Sequence, residues 1–144
     1  NIGSSTTYFN TVFAKATSAQ YADLAEVYAA DSEYDPGTVL SFGGEKEVTI
    51  SSVASDARIA GVVSTNPSYV MNAGLEGPNV AAVALHGRVP TFVLGPVKKG
   101  DMMVSAGDGS AIAHNNPPMG TVIGKALENF LGQRGVINVV VGRL

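Results

Sequence analysis

Apolar residues follow three patterns along the chain: a two-faced alternation, a helical stripe and a series of β segments. In "TTYFNTVFAKATSAQYA", Tyr8, Asn10, Val12 and Ala14 fall on one parity, and Phe9, Thr11, Phe13 and Lys15 on the other. Aromatic and β-branched residues favour a strand, but both parities carry apolar groups, so neither face is the wet one. A strand of that kind is best buried by other chains. Residues 7–17 are therefore expected to form an extended arm or strand used in oligomer contacts, with Tyr8, Phe9, Val12 and Phe13 as the contacting residues.

From Ser18 to Glu33 the spacing changes: Tyr21, Leu24, Ala25 and Tyr28 lie at i, i+3, i+4 and i+7, with Ser18 available as an N-cap. This predicts a short helix. Extended chain competes with it, because a helix near or below about 12 to 15 residues is marginal without tertiary help.

After the "DPG" of Asp35 to Gly37 the pattern becomes β. "TVLSF", "EVTISSV" and "RIAGVVST" read as strands separated by Gly or polar turns, and "VAAVALHGRVPTFVLG" reads as two strands around His86-Gly87. "MMVSAG", "GSAIAH", "TVIGKALENF" and "VINVVVGRL" supply the rest. Strands spaced roughly every 8 to 12 residues with Gly-rich turns predict a mainly β fold, a compact β-sandwich or barrel-like domain, rather than alternating β and α units. No repeat of fixed period and no later linker interrupts it. The expected organisation is an N-terminal strand and acidic connector over 1–35 and a C-terminal β-domain over 36–144.

Composition adds a reason for assembly. Charged residues make up 15% of the chain, against roughly 25% in an ordinary domain, and mean hydropathy is slightly positive. Few charges are available to cover the surface, so a partner or further copies of the chain are expected to cover part of it. The absence of cysteine excludes disulfides and thiolate chemistry and fits assembly in a reducing cytoplasm. The net charge of −3 with scattered Lys and Arg predicts no nucleic-acid footprint. No apolar run reaches the length of a membrane span, and no signal peptide is legible. Without an initiator Met, Asn1 is expected to be the edge of a longer chain.

Most motifs with a chemical look reduce to turns. His86 and His114 come without metal-ligand spacing, and no metal or cofactor is expected. In "GDGSA", Asp108 and Ile112 stand where the glycines of a nucleophile elbow would be, and a calcium loop would need more acids. Lys98 and Lys99 read as a solvated hairpin that blunts an edge. The remaining cluster is Asp23, Glu26, Asp31, Glu33 and Asp35. On a helix, Asp23 and Glu26 would share a face with Cβ atoms about 5 to 6 Å apart. Carboxylates that close can share a proton and act as an acid/base pair. The alternative is a solvated helix face.

Five short motifs in one order give a resemblance. Asp23-Leu24-Ala25-Glu26, Gly44-Glu45-Lys46, Gly61 to Pro67 ("GVVSTNP"), Gly87-Arg88-Val89 and Gly95 to Asp101 ("GPVKKGD") resemble the C-terminal domain of phage appendage and tail-fibre proteins in the peptidase G2 class of intramolecular chaperones. The ends "GKALENF" and "VVVGRL" are similar to those of cyanophage structural proteins. The resemblance implies a virion protein that assembles in the host cytoplasm, forms a homotrimer and contacts other tail or fibre proteins. It also implies, in self-cleaving members, a cut before the acidic element, here Ala22-Asp23, with Asp23 and Glu26 as catalytic residues. Self-cleaving members have Ser where this chain has Ala22, and their next acidic position falls here on Ala29. Residues 1–22 also remain joined to the rest, so an intact bond is expected.

Three functions follow as expectations. The first is a structural trimerisation and chaperone module at the C-terminus of a fibre or appendage; the second is a single-turnover self-cleaving peptidase using Asp23 and Glu26. A third is a receptor-binding tip that holds host-surface glycan, with Tyr69, in the loop after Asn66-Pro67, as its aromatic platform.

Overall fold

Val80–Leu94 forms one 15-residue strand, and the other strands are arranged along it. The computed structural model describes residues 2–14 and 18–142. Its strands in chain order are β1 Asp23–Ala29, β2 Val39–Phe42, β3 Val48–Ile50, β4 Ile59–Val63, β5 Tyr69–Met71, β6 Val80–Leu94, β7 Met102–Ser105, β8 Ala111–Ala113, β9 Val122–Ala126 and β10 Arg134–Val141. The fold is mainly β, as the strand spacing predicts.

The C-terminal half of β6 belongs to a closed five-stranded barrel. There β6 runs antiparallel to β10 from Gly87↔Val141 to Leu94↔Arg134 and parallel to β8 at Val93 and Leu94. The ring closes through β8–β7, β7–β9 and β9–β10, all antiparallel. Closure removes the free edges that a five-stranded sheet would otherwise present. Gly124 permits the tight β9–β10 approach, since a Cβ there would lie 2.0 Å from the Val140 carbonyl oxygen.

The N-terminal half of β6 leaves the barrel and carries a second group of strands. It pairs antiparallel with β1 and with β4, and the sheet continues from β4 to β2 and β3, while β5 lies parallel to β1. Each half has its own core. Val89, Val93, Val97, Met103, Ile123, Ile137 and Val139 pack in the barrel, with Val39, Val62 and Ala84 joining them from the extension. Leu40, Val48, Ala60, Val63, Ala81 and Val83 form the other core, covered by Tyr28 and Phe42, whose rings meet edge-on at 5.5 Å.

Three expectations change. The helix over Ser18 to Glu33 does not form: Asp23–Ala29 is β1, with Asp23, Ala25 and Val27 buried and Leu24, Glu26 and Tyr28 half-buried in alternation. Pairing to β6 along its whole length satisfies the backbone of a segment too short to be a stable helix alone. It also places a strand from before residue 36 in the same sheet as the rest. The "two strands" around His86-Gly87 are one, because Gly87, at φ +109°, bends β6 without ending it. Lastly, positions 7–14 of the expected arm carry no strand, and positions 15–17 lie outside the described residues.

A polar knot ties the extension to the barrel. The buried Asp56 carboxylate accepts hydrogen bonds from Ser41 Oγ (2.9 Å) and from the backbone N and Nε of Arg58 (2.9 and 3.1 Å). Its own N–H donates to Ser105 Oγ of β7, which donates on to the Val53 carbonyl at 2.8 Å. Burial pushes the Asp56 carboxyl up, but the hydrogen bonds and charge of Arg58 together with Ser41 outweigh it and hold the group below the ordinary 3.8. A group held low stabilises the fold above its unfolded pKa and loses that contribution as pH falls through its native value. Asp56→Ala is expected to cost roughly 3 kcal/mol at neutral pH, and its deficit relative to the parent chain should shrink as denaturant melts are repeated from pH 6 down to below 4.

Candidate functional site

Gly87 is where two strands of different parts of the fold meet on β6. Asp23, the first residue of β1, and Val141, the last of β10, both register with it. The Ala22–Asp23 peptide lies against it: a Cβ on Gly87 would sit 2.2 Å from the Ala22 carbonyl oxygen and 2.9 Å from Asp23 Cα. Ser68 clamps the next unit, its N–H and Oγ donating to the Asp23 carbonyl at 2.8 and 3.0 Å.

A cleft of about 210 Å³ opens at this junction. Tyr21, Ala22 and Asp23 form one side, Thr65 and Asn66 enter from the segment after β4, and Arg88, Pro90 and Asn138 come from β6 and β10. Asp23 is only 4% exposed, and its Oδ2 is buried without a hydrogen-bond partner among the described residues. An unpartnered buried carboxylate oxygen is costly, and such groups concentrate where a ligand, water or reacting group completes them.

Glu26 does not join Asp23. On a strand, residues three apart point to opposite faces, and the burial alternation of β1 puts Asp23 on the covered face and Glu26 on the other. The proton-sharing pair expected from helical spacing therefore has no geometric basis. The other acids separate as well. Asp31 accepts from the Tyr34 hydroxyl at 2.5 Å, the main reason its carboxyl is held low, and the Asp35 carbonyl caps a turn at Thr38.

The chain's similarities to known proteins are limited. No protein-family model matches it, and no curated protein matches it. Among solved structures, it is similar to the head fibre gp8.5 N base of bacteriophage phi29, at 17% identity and a TM-score of 0.48, over 83% of this chain and 96% of that one.

The other positions singled out from sequence are scattered. Tyr69 is exposed on β5 rather than in a loop and does not line the cleft. Tyr8, Phe9, Val12 and Phe13 are all exposed. "GDGSA" is a turn, in which Asp108 accepts from the Ser110 N–H and pairs with Arg134 at 2.9 Å. His114 Nδ1 accepts from the Asn116 N–H, and no group of potential metal ligands gathers among the described residues. Thr65, Asn66 and Arg88 fall in the motifs "GVVSTNP" and Gly87-Arg88-Val89, but their grouping with Asn138 escapes motif reading because the topology alone collects them. Arg88, a charge inside the otherwise apolar run "ALHGRVP", is the one signal that could have marked it.

The Gly87 contact leaves no room for a side chain. Gly87→Ala should destabilise by roughly 2–5 kcal/mol, combining steric conflict with a positive φ, whereas Gly100→Ala, with a positive φ but nothing within 4 Å of its Cβ position, should cost less. Thermal melts of the two variants compare them directly.

Proposed function

We propose that this chain is a virion structural module of a phage tail fibre or appendage, acting in trimerisation and as an intramolecular chaperone for the chain that carries it. The observation that supports it best is the arm. Between residues 2 and 14, Ile2, Tyr8, Phe9, Val12 and Phe13 are exposed, Phe13 at 97%, and among the described residues the arm's hydrogen bonds run within the arm itself. Apolar side chains strung along a segment that the body does not cover are surface awaiting a partner. Burying each aromatic against other copies would contribute about 1.5–3 kcal/mol before ordering costs. The motif order from Asp23 to Asp101 points the same way, toward a homotrimer.

A second reading, self-cleavage at Ala22-Asp23, is favoured by the packing of that peptide against Gly87 and by the buried Asp23 carboxylate beside it, whose Oδ2 has no hydrogen-bond partner among the described residues. In that reading Asp23 acts at the bond itself. Glu26, on the opposite face, would act only from another subunit.

Light scattering decides the first reading: the parent chain should be trimeric, and Phe9→Asp and Phe13→Asp should give monomer or aggregate. A variant that stays trimeric sinks the role assigned to the arm. For the second, the intact mass of a chain extended upstream is informative. A fragment beginning at Asp23 that disappears in Asp23→Asn would establish cleavage, and an uncut chain would leave the structural role alone.

A further inference from the structure

We infer that the outer face of the barrel is a docking surface for a second copy of this chain, and that it takes the acidic end of that copy's extension in a head-to-tail contact. This contact deepens the trimeric reading above and rests on it. Charge is divided unevenly between the two halves of the fold. From Asp23 to His86 the chain holds nine acidic residues against Lys46 and Arg58, whereas from Gly87 to Gly142 it holds Asp101, Asp108 and Glu128 against five basic residues. Among the described residues the ion pairs are Arg58–Asp56, within the extension, and Arg134–Asp108, within the barrel. Neither pair joins the halves, so the excess on each is not neutralised by the other.

Cross-strand register gathers the barrel's share. Arg88 of β6 stands opposite Val140 of β10, Val140 opposite Lys125 of β9, and Lys125 opposite Met102 of β7. Residues directly opposite on antiparallel strands share a face, and here it is the outer one, since Arg88, Lys125 and Val140 are exposed. Lys125 separates two open depressions, one of about 350 Å³ lined by His86, Val140 and Gly142, the other of about 590 Å³ lined by Asp101, Met102 and His114. Apolar Val140 and Met102 between cationic heads make the mixed composition of a protein-binding patch, in which Arg and Met are enriched.

The complement lies where the loop after β1 runs beside the β2–β3 turn. There the Glu47 N–H donates to the Ala29 carbonyl at 3.0 Å and the Asp31 N–H to the Val48 carbonyl at 3.4 Å. Asp31, Glu33, Asp35, Glu45 and Glu47 are all exposed around this junction, with Lys46 as the one cation among them. Symmetry selects how the two patches meet. A basic row repels its own image, so a twofold contact that lays it on itself is disfavoured. A threefold ring is built from contacts between two different patches, and a basic one facing an acidic one supplies such a contact. The same acids and the net charge of −3 count against a nucleic acid as the occupant.

Charge reversal followed by sedimentation velocity tests it. Arg88→Glu with Lys125→Glu, and separately Glu33→Lys with Glu45→Lys, should each raise the concentration at which trimer gives way to monomer about tenfold or more, the effect of setting like charges across a contact. All four reversals in one chain should return it toward the parent value. The parent trimer should also weaken from about 0.05 to about 1 M NaCl, where the Debye length falls to about 3 Å. If Arg88→Glu does not fold by circular dichroism, Lys125→Glu and Glu45→Lys, singly and together, are read the same way. A trimer indifferent to both reversals, or four reversals no better than two, overturns the contact and leaves the role of the arm standing. A parent chain that is monomeric overturns the trimeric reading itself, and this contact with it.

Discussion

The contact between Gly87 and the Ala22–Asp23 backbone is the constraint on which the rest depends. One strand, β6, must serve a closed barrel along one half and an open sheet along the other, and β10 and β1 take over from each other at this residue. Two backbones can meet there only if the third brings no Cβ, and the positive φ that bends β6 at the handover is one that glycine adopts without penalty. Both cores then follow. The barrel fills chiefly with Val, Ile and Met, and the extension fills with Leu40, Val and Ala under Tyr28 and Phe42.

The β class was legible because Gly and polar turns separate runs that are rich in Val and Ile. What could not be read was which strand is continuous. His86-Gly87 looks like a turn in isolation, yet with neighbours on both sides the same residues form a bend inside a long strand. The Ala19–Glu33 segment misleads for a related reason. Tyr21, Leu24, Ala25 and Tyr28 fit a helical stripe, but Asp23, Ala25 and Val27 fit a strand equally well, and helix propensity is a weak prior once a paired edge is on offer.

The site was legible only in part. Asp23 was singled out from its acidic company, and it does occupy a cleft, but with partners from after β4 and from β6 and β10 rather than with Glu26. Spacing along the chain pairs residues correctly only when the element type is right. A change from period 3.6 to period 2 moves Glu26 to the opposite face. Thr65, Asn66 and Arg88 lie in motifs read from the sequence, yet nothing along the chain brings them together with Asn138, because their proximity is a product of sheet topology.

Tyr21 and Ala22 stand between the exposed arm and β1, and they also form one side of the cleft. Asp23, by contrast, is held by the β6 ladder and by Ser68, so the cleft has one side anchored in the sheet and, in Tyr21 and Ala22, one that lies outside any strand. Asp23 is thus the point at which the chain passes from Ser18–Ala22, which form no strand, into the β6 ladder, and the cleft lies at that transition.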